Sequence, residues 1–520
     1  MKMKKIFLGL LMSAALLTTS CDMDTTNYGV IDQGNAIETV DDCEKFVNGI
    51  LGHLRAKGSG TWLNNQDIQM DQFVGLVDNG NRHGLMSLGT FNASDDDLTT
   101  LWYNLYIEIR DGNYFIPRVD ELIESGDFST QEVELLKYYK ATAKFSRAYA
   151  YWYLFDKYVK YDASELDAPA KGLPIQTNWV ASGDRATYVG RSTIKETVTY
   201  INNELTEAYD LMKEYEDNVS SENCNPNSVY VSSYAIAALQ ARFALLTQDY
   251  ATALAKAELV IKSPKYGLAK GSAYSQMWVN DEGPELIFVG AAEKGTGGVD
   301  IGTAYYQNNK KNTSDYIPTA DVILSYDEGD VRFDSFFELY DMTISGENYY
   351  AYAFTKFPGN PALNTNASVN SCLNKAKLFR LSEMYLVAAE AAAMGSPKDE
   401  TKANSYLNDL RDARITGYSA TTLSGNALIK AIQDERGKEL IGEGFRLSDL
   451  RRWGNGFTRK AGFDIFMGTD MEPLAYIMDA IQNTTNNVSY TPDYFRFVWP
   501  IPLRDMQTNP QLAGQQNPGY

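Results

Sequence analysis

Glu439 and Glu443 stand four residues apart, the spacing of one helical turn, and come nearest in this chain to acid–base chemistry. A glycosidase needs its two carboxyls on opposite sides of a scissile bond. Two acids on one helical face point the same way, and these are surrounded by Glu435, Arg436, Arg446, Asp449, Arg451 and Arg452. Opposite charges three and four residues apart on a helix pair with each other. An ion-pair network locking helices together is therefore the expected role. Other chemistry finds few residues. Two histidines, His53 and His83, make neither a zinc HExxH motif nor a three-histidine site, and leave little room for a His-dependent triad. No Ser or Cys stands in a nucleophile elbow. Asn92–Asp97 and Asp327–Asp334 are acidic enough for Ca2+ but lack EF-hand spacing. They read as solvated loops, with calcium the alternative and no cofactor required. No catalysis is expected.

The N-terminus carries an address. Lys2, Lys4 and Lys5 precede an apolar run from Ile6 to Leu17, then Thr18-Thr19-Ser20-Cys21. A basic head, a short apolar core and small residues make a signal peptide over 1–20, too short to span a bilayer stably. The cysteine directly behind it resembles the lipobox of bacterial lipoproteins, in which that residue is lipidated and begins the mature chain. Asp22 and Asp24 resemble the acidic export tags of surface lipoproteins, and residues 21–38 read as a polar tether. The net charge is −20, and −23 without the three signal-peptide lysines. So acidic a chain repels phosphate backbones, which excludes nucleic acid as a partner. Cys43, Cys224 and Cys372 are too few for a disulfide framework. Buried thiols are expected, with one bridge, Cys224 to Cys372, as the alternative. The 35 tyrosines and seven tryptophans are a heavy aromatic load, which puts some rings at the surface.

Apolar residues recur at helical spacing over Asp97–Glu124, Thr130–Tyr158 and Thr193–Lys213. Ser232–Gln248 and Asp249–Ser263 look like a tetratricopeptide hairpin, with Ala253 and Ala257 on one face and Pro264 closing the unit. A second helical block runs from Ala376 to Trp453. Such helices cannot bury their faces alone, so these pairs should stack into one right-handed solenoid. Between the blocks, residues 270–370 lose periodicity except for a strand-like Glu285–Val289 and a short helix at Thr319–Tyr326. Residues 57–96 and 454–500 are similar. The expected fold is mainly α: a tetratricopeptide-like helical-repeat scaffold, with repeats at about 97–264 and 376–453, decorated with long loops and a few short strands in one domain over 39–520.

Four blocks carry a resemblance. Ile432–Trp453 resembles the signature helix of the SusD/RagB family, surface glycan-binding lipoproteins of nutrient-importing bacteria. Leu378–Ala391 is similar to a second family block. Trp499-Pro500-Ile501-Pro502 with Asn509-Pro510 and Gln516–Tyr520 matches a third, and Ser146-Arg147-Ala148-Tyr149 with Gly172-Leu173-Pro174-Ile175 an N-terminal one. They stand in the family's order over essentially the whole mature chain. The resemblance implies a SusD-like fold, an oligo- or polysaccharide ligand, an outer-membrane location facing outside, and delivery to a SusC-like TonB-dependent transporter. Peptide or glycoprotein capture by the same scaffold is the alternative, and a surface glycoside hydrolase a more distant one.

Family glycan sites draw on loops before the first long helix and in the middle of the chain, here about 57–96 and 270–370. Sugars offer apolar C–H faces edged by hydroxyls, so a site needs aromatic platforms beside polar side chains. Trp62, among Gly and Asn, is the first candidate platform, with Asp78, Asn81 and Arg82 as hydroxyl partners. Tyr305 and Tyr306 form the second, because adjacent residues of a strand cannot both point inward. Tyr349, Tyr350 and Trp278 are weaker candidates, while Trp102, Trp152, Trp453 and Trp499 belong to the scaffold. The anchor rests on one residue: Cys21→Ala is expected to release the protein from the membrane fraction or strand its precursor. Ligand affinity of the purified soluble domain should not change.

Overall fold

The computed structural model describes residues 36–76, 82–179, 185–306, 313–344, 346–366, 368, 370–466, 473–477 and 487–520. The signal peptide, Cys21 and most of the tether lie outside these. Twelve helices are labelled here: α1 (Val40–Ala56), α2 (Thr61–Ile68), α3 (Asp96–Ser125), α4 (Thr130–Tyr158), α5 (Ile194–Asn218), α6 (Ser233–Leu246), α7 (Tyr250–Ile261), α8 (Ser272–Asn280), α9 (Leu381–Met394), α10 (Glu400–Arg414), α11 (Gly425–Glu439) and α12 (Arg446–Trp453). Several start on a reciprocal cap. Ser129 accepts from the Glu132 amide while Glu132 accepts from the Ser129 amide, and Thr39 with Asp42 and Thr193 with Glu196 do the same. Such caps satisfy amides that have no partner inside the helix.

Successive helices pack on one another: α3 on α4, α4 on α5, α5 on α6, α6 on α7, α7 on α9, then α9 on α10 and α11. The contact of α7 with α9 joins the two helical blocks into one stack, despite the long segment between them. Alanine lets the stacked helices α6 and α7 approach their neighbours closely. Ala235, Ala237, Ala238, Ala241, Ala253 and Ala257 are fully buried. Among the described residues, no helix is long and apolar enough to cross a membrane.

The intervening segments form short antiparallel pairs. In chain order the strands are β1 (Phe73–Gly75), β2 (Leu286–Val289), β3 (Tyr316–Pro318), β4 (Phe337–Ile344), β5 (Glu347–Phe354), β6 (Lys377–Arg380), β7 (Phe457–Arg459), β8 (Phe463–Phe466), β9 (Pro473–Ile477) and β10 (Val488–Tyr490). The pairs are β1 with β3, β2 with β6, β4 with β5, β7 with β10 and β8 with β9. Residues 57–96, expected as loop, contain α2 and a short helix, Gly84–Leu88. Asn64, Asn65, Gln66 and Asp67 are all buried in α2, so a helix buried through polar side chains carried no apolar period to read. Cys43, Cys224 and Cys372 are buried thiols, and the Cys224–Cys372 bridge does not form.

The charged signature stretch is interior. Glu439 accepts from Arg332 (3.2 Å), Arg380 (3.0 Å), Arg414 (2.9 Å) and the Tyr274 hydroxyl (3.2 Å). Arg414 and Arg380 also reach Glu285, Arg332 reaches Asp330 and Glu435, and Glu443 takes Arg380 and Lys356. Arg411 completes Glu435 at 2.7 Å. Two expectations are corrected here. Helix α11 ends at Glu439, and Gly442 and Gly444 turn the chain at φ of 76° and 81°, so Glu443 does not share a helical face with Glu439. The partners also come mostly from distant segments rather than from three or four residues away. The network that locks elements together is present.

Burial alone would raise the Glu439 carboxyl, but Arg414, Arg380 and Arg332 outweigh it and hold the group well below its usual range. Glu435 and Glu443 are lowered by the same balance. Their stabilisation is therefore complete above the ordinary glutamate value of 4.5 and is lost as pH falls through the lower folded values. Burial pushes Lys356 down to about 8, so folding gains stability from this group as pH rises from there toward its ordinary 10.5. Glu439→Gln strands three guanidiniums. It is expected to cost about 3–5 kcal/mol in urea unfolding at neutral pH, with the difference from the native chain shrinking below about pH 4.

Candidate functional site

Pairing of β1 with β3 brings the two expected ligand loops side by side. Arg82 donates to the Asp315 carboxylate and, at 3.0 Å, to the Thr303 carbonyl, while the Tyr316 hydroxyl donates to the Arg82 carbonyl. His83 Nδ1 lies 2.5 Å from Asp97 Oδ2. Asp78, Asn81 and the Tyr306 side chain lie outside the described residues.

Two of the expected platforms, Trp62 and Tyr305, are core. Trp62 is 8% exposed, with its ring edge-on to Tyr153 at 5.2 Å and Lys57 Nζ 4.4 Å over it. Folding of α2 turns this ring inward. Tyr305 is fully buried between Phe73 (4.9 Å) and Phe354 (4.8 Å). It sits on a single helical turn, Thr303–Tyr306, so the alternation expected of a strand does not apply. Trp278 is also buried, under Lys356. Tyr350 is exposed (52%), and Tyr349 is half-buried against Phe463. Trp102, Trp152 and Trp499 are core as expected. Trp453 is half-buried and donates to Glu390 at 3.0 Å.

A cleft of about 1140 Å3 lies where α10 and α11 meet β1, β7 and β8. Arg411, Tyr418, Lys430 and Asp434 line it from the repeat side, and Asp71, Asp321, Phe457, Lys460 and Asp464 from the loops. Tyr418 is half-buried, its hydroxyl donating to Asn408 Oδ1 at 2.6 Å. Phe457 is half-buried against Tyr490, with ring centroids 4.9 Å apart. Arg459 anchors the loop wall by donating to the carbonyls of Ile68 (2.7 Å), Met70 (2.5 Å) and Phe73 (2.9 Å). Burial holds the Asp464 carboxyl above its usual range; Lys460 works against that shift and Asp321 adds to it. Such a cleft can offer two ring faces and carboxylate acceptors to one ligand.

Comparison with known proteins decides the family. The SusD family profile matches residues 338–520, and a profile described as "Starch-binding associating with outer membrane" matches residues 32–245. The chain belongs to the SusD/RagB family. A SusD-like protein of Formosa agariphila is 30% identical over 154 residues, a match spanning 28% of this chain and 24% of that protein. The fold resembles a SusD superfamily protein from Bacteroides thetaiotaomicron at a TM-score of 0.74 and 23% identity, over 92% of this chain and 100% of the other. A SusD-like carbohydrate binding protein from Bacteroides vulgatus gives 0.71 at 20% identity, over 92% and 98%.

In this SusD/RagB chain, the cleft rings were legible by the same sign that suggested Trp62. Tyr418 follows Gly417, and Phe457 follows Gly454-Asn455-Gly456. What separates them from Trp62 is the absence of a helix to draw them inward. Trp62→Ala is accordingly expected to cost about 3–5 kcal/mol of folding stability, measured by chemical denaturation. Ligand affinity of the folded fraction should be unchanged.

Proposed function

We propose that this protein is a lipid-anchored, outward-facing outer-membrane protein that captures an oligo- or polysaccharide without cleaving it. It passes the ligand to a SusC-like TonB-dependent transporter. The observation that carries the reading is the cleft, in which Tyr418 and Phe457 stand with Asp321 and Asp464 at its walls. Half-buried rings suit the C–H faces of sugars, and carboxylates suit their hydroxyls. Family membership, the outer-membrane association in the matching family description and the lipobox at Cys21 support location and partner. Glu439 supports the non-catalytic role. It is fully buried and occupied by three guanidiniums, out of reach of a glycosidic bond.

Glycan arrays and peptide pools run on the same purified protein test the ligand class. Binding is expected on the glycan arm, with Tyr418→Ala and Phe457→Ala each weakening it by about 1–3 kcal/mol. Binding confined to the peptide pools would refute the saccharide reading. A pull-down of the anchored protein should recover a large outer-membrane barrel, and its absence would refute the transporter step.

A further inference from the structure

Helix α2 is buried through polar side chains, and a buried polar atom ordinarily carries a hydrogen-bond partner. Gln66 meets that requirement on one side only. Its Nε2 donates to the Trp62 carbonyl at 2.6 Å, which fixes the orientation of the amide, because the reverse would set two oxygens against each other. Oε1 is thereby turned the other way, where it is buried and has no partner. Gly444 closes against the same amide, and a Cβ at that position would overlap it. On α4, the indole Nε1 of Trp152 is likewise buried and unpartnered. Its ring is held by the Arg242 guanidinium, which lies 5.0 Å over it and is itself bound to Glu383 at 2.7 Å. Gln66 is 2% exposed and Trp152 7%.

Both side chains line one small cavity of about 30 Å3, together with Tyr149, Tyr153, Leu440 and Phe445. That volume suits a water molecule and is too small for a sugar ring. The two unpartnered atoms have opposite needs. The Gln66 oxygen requires a donor, the Trp152 N–H requires an acceptor, and neither is within bonding reach of the other. An anion would satisfy the indole and be repelled by the amide oxygen, and a cation would do the reverse. Water both donates and accepts. We infer that this cavity is a site for a structural water that accepts from Trp152 Nε1 and donates to Gln66 Oε1. The water bridges α2 to α4 beside the Gly444–Phe445 turn that leads into α12. It supplies the partner that allows a polar helix to lie in the interior without the cost of an unsatisfied amide and indole.

The test is the electron density of high-resolution crystals of the purified mature chain, native and after a bromide soak. A discrete peak is expected within about 3.2 Å of both Trp152 Nε1 and Gln66 Oε1, with no anomalous signal after the soak. Crystals of Trp152→Phe, which keeps an aromatic ring and removes the donor, should lose that peak. A native map with no peak between the two atoms, or one in which the two side chains bond each other directly, overturns the inference. A bromide signal at the site overturns it as well, by assigning the cavity to an anion. A peak unchanged in Trp152→Phe overturns the part given to the indole. If that variant does not fold, the native map and the soak decide the matter by themselves.

Discussion

A single buried carboxylate, Glu439, holds together segments that the chain order keeps far apart. Its three arginines come from a short helix in the long intervening segment, from β6 and from α10, and Tyr274 adds a hydroxyl from α8. Around it, Arg332, Arg380, Arg414, Arg411 and Lys356 meet Asp330, Glu285, Glu435, Glu439 and Glu443, so five cations face five anions. The balance matters more than the sum. Buried ion pairs gain little over an apolar core of the same shape, but an unmatched charge in the interior is severely penalised. The network therefore selects one arrangement of these segments and penalises others.

That selection builds the cleft. Helices α10 and α11 belong to the stack, whereas β1, β7 and β8 belong to the segments laid over it, and the cleft is where they meet. Arg332 and Lys356 bind the middle segment to the end of α11, and Arg446 pairs with Asp71 beside β1. Arg459 clasps the carbonyls of Ile68, Met70 and Phe73 from the other wall. Both walls are thus tied by buried or half-buried cations to backbone or carboxylate oxygens, and the bidentate Arg446–Asp71 pair leaves little freedom of orientation. A cleft so braced has walls held in place in advance, which is what the proposed ligand site needs to keep the ordering cost of binding low.

Aromatic allocation was the hardest property to read. The expectation that some of the 35 tyrosines reach the surface holds for Tyr103 (62%) and Tyr350 (52%), but Trp62 and Tyr305 are core. Their local sequence is rich in Gly and Asn, as a surface loop would be. What buries Trp62 is Tyr153 of α4, and what buries Tyr305 is Phe73 and Phe354 from two other segments. None of these neighbours is near in sequence, so no local pattern could announce them. Tyr418 and Phe457 have similar local surroundings but stay half-buried, Phe457 beside Tyr490.

By itself the sequence determined the parts whose causes are local. The repeat helices are one: α4 spans Thr130–Tyr158 as its period indicates, and β2 falls within Glu285–Val289. Helical period, capping residues and Ala-rich faces act within a few residues, so they are visible in a linear text. The family blocks are legible for the same reason, since their spacing is local even where their partners are not. Only the tertiary structure decided which charges pair, where α11 ends relative to Glu443, that polar α2 is a buried helix, and which rings stay half-buried at the cleft. These outcomes depend on groups brought together from dozens to hundreds of residues apart, where burial and pairing are settled by the whole packed assembly rather than by any one segment.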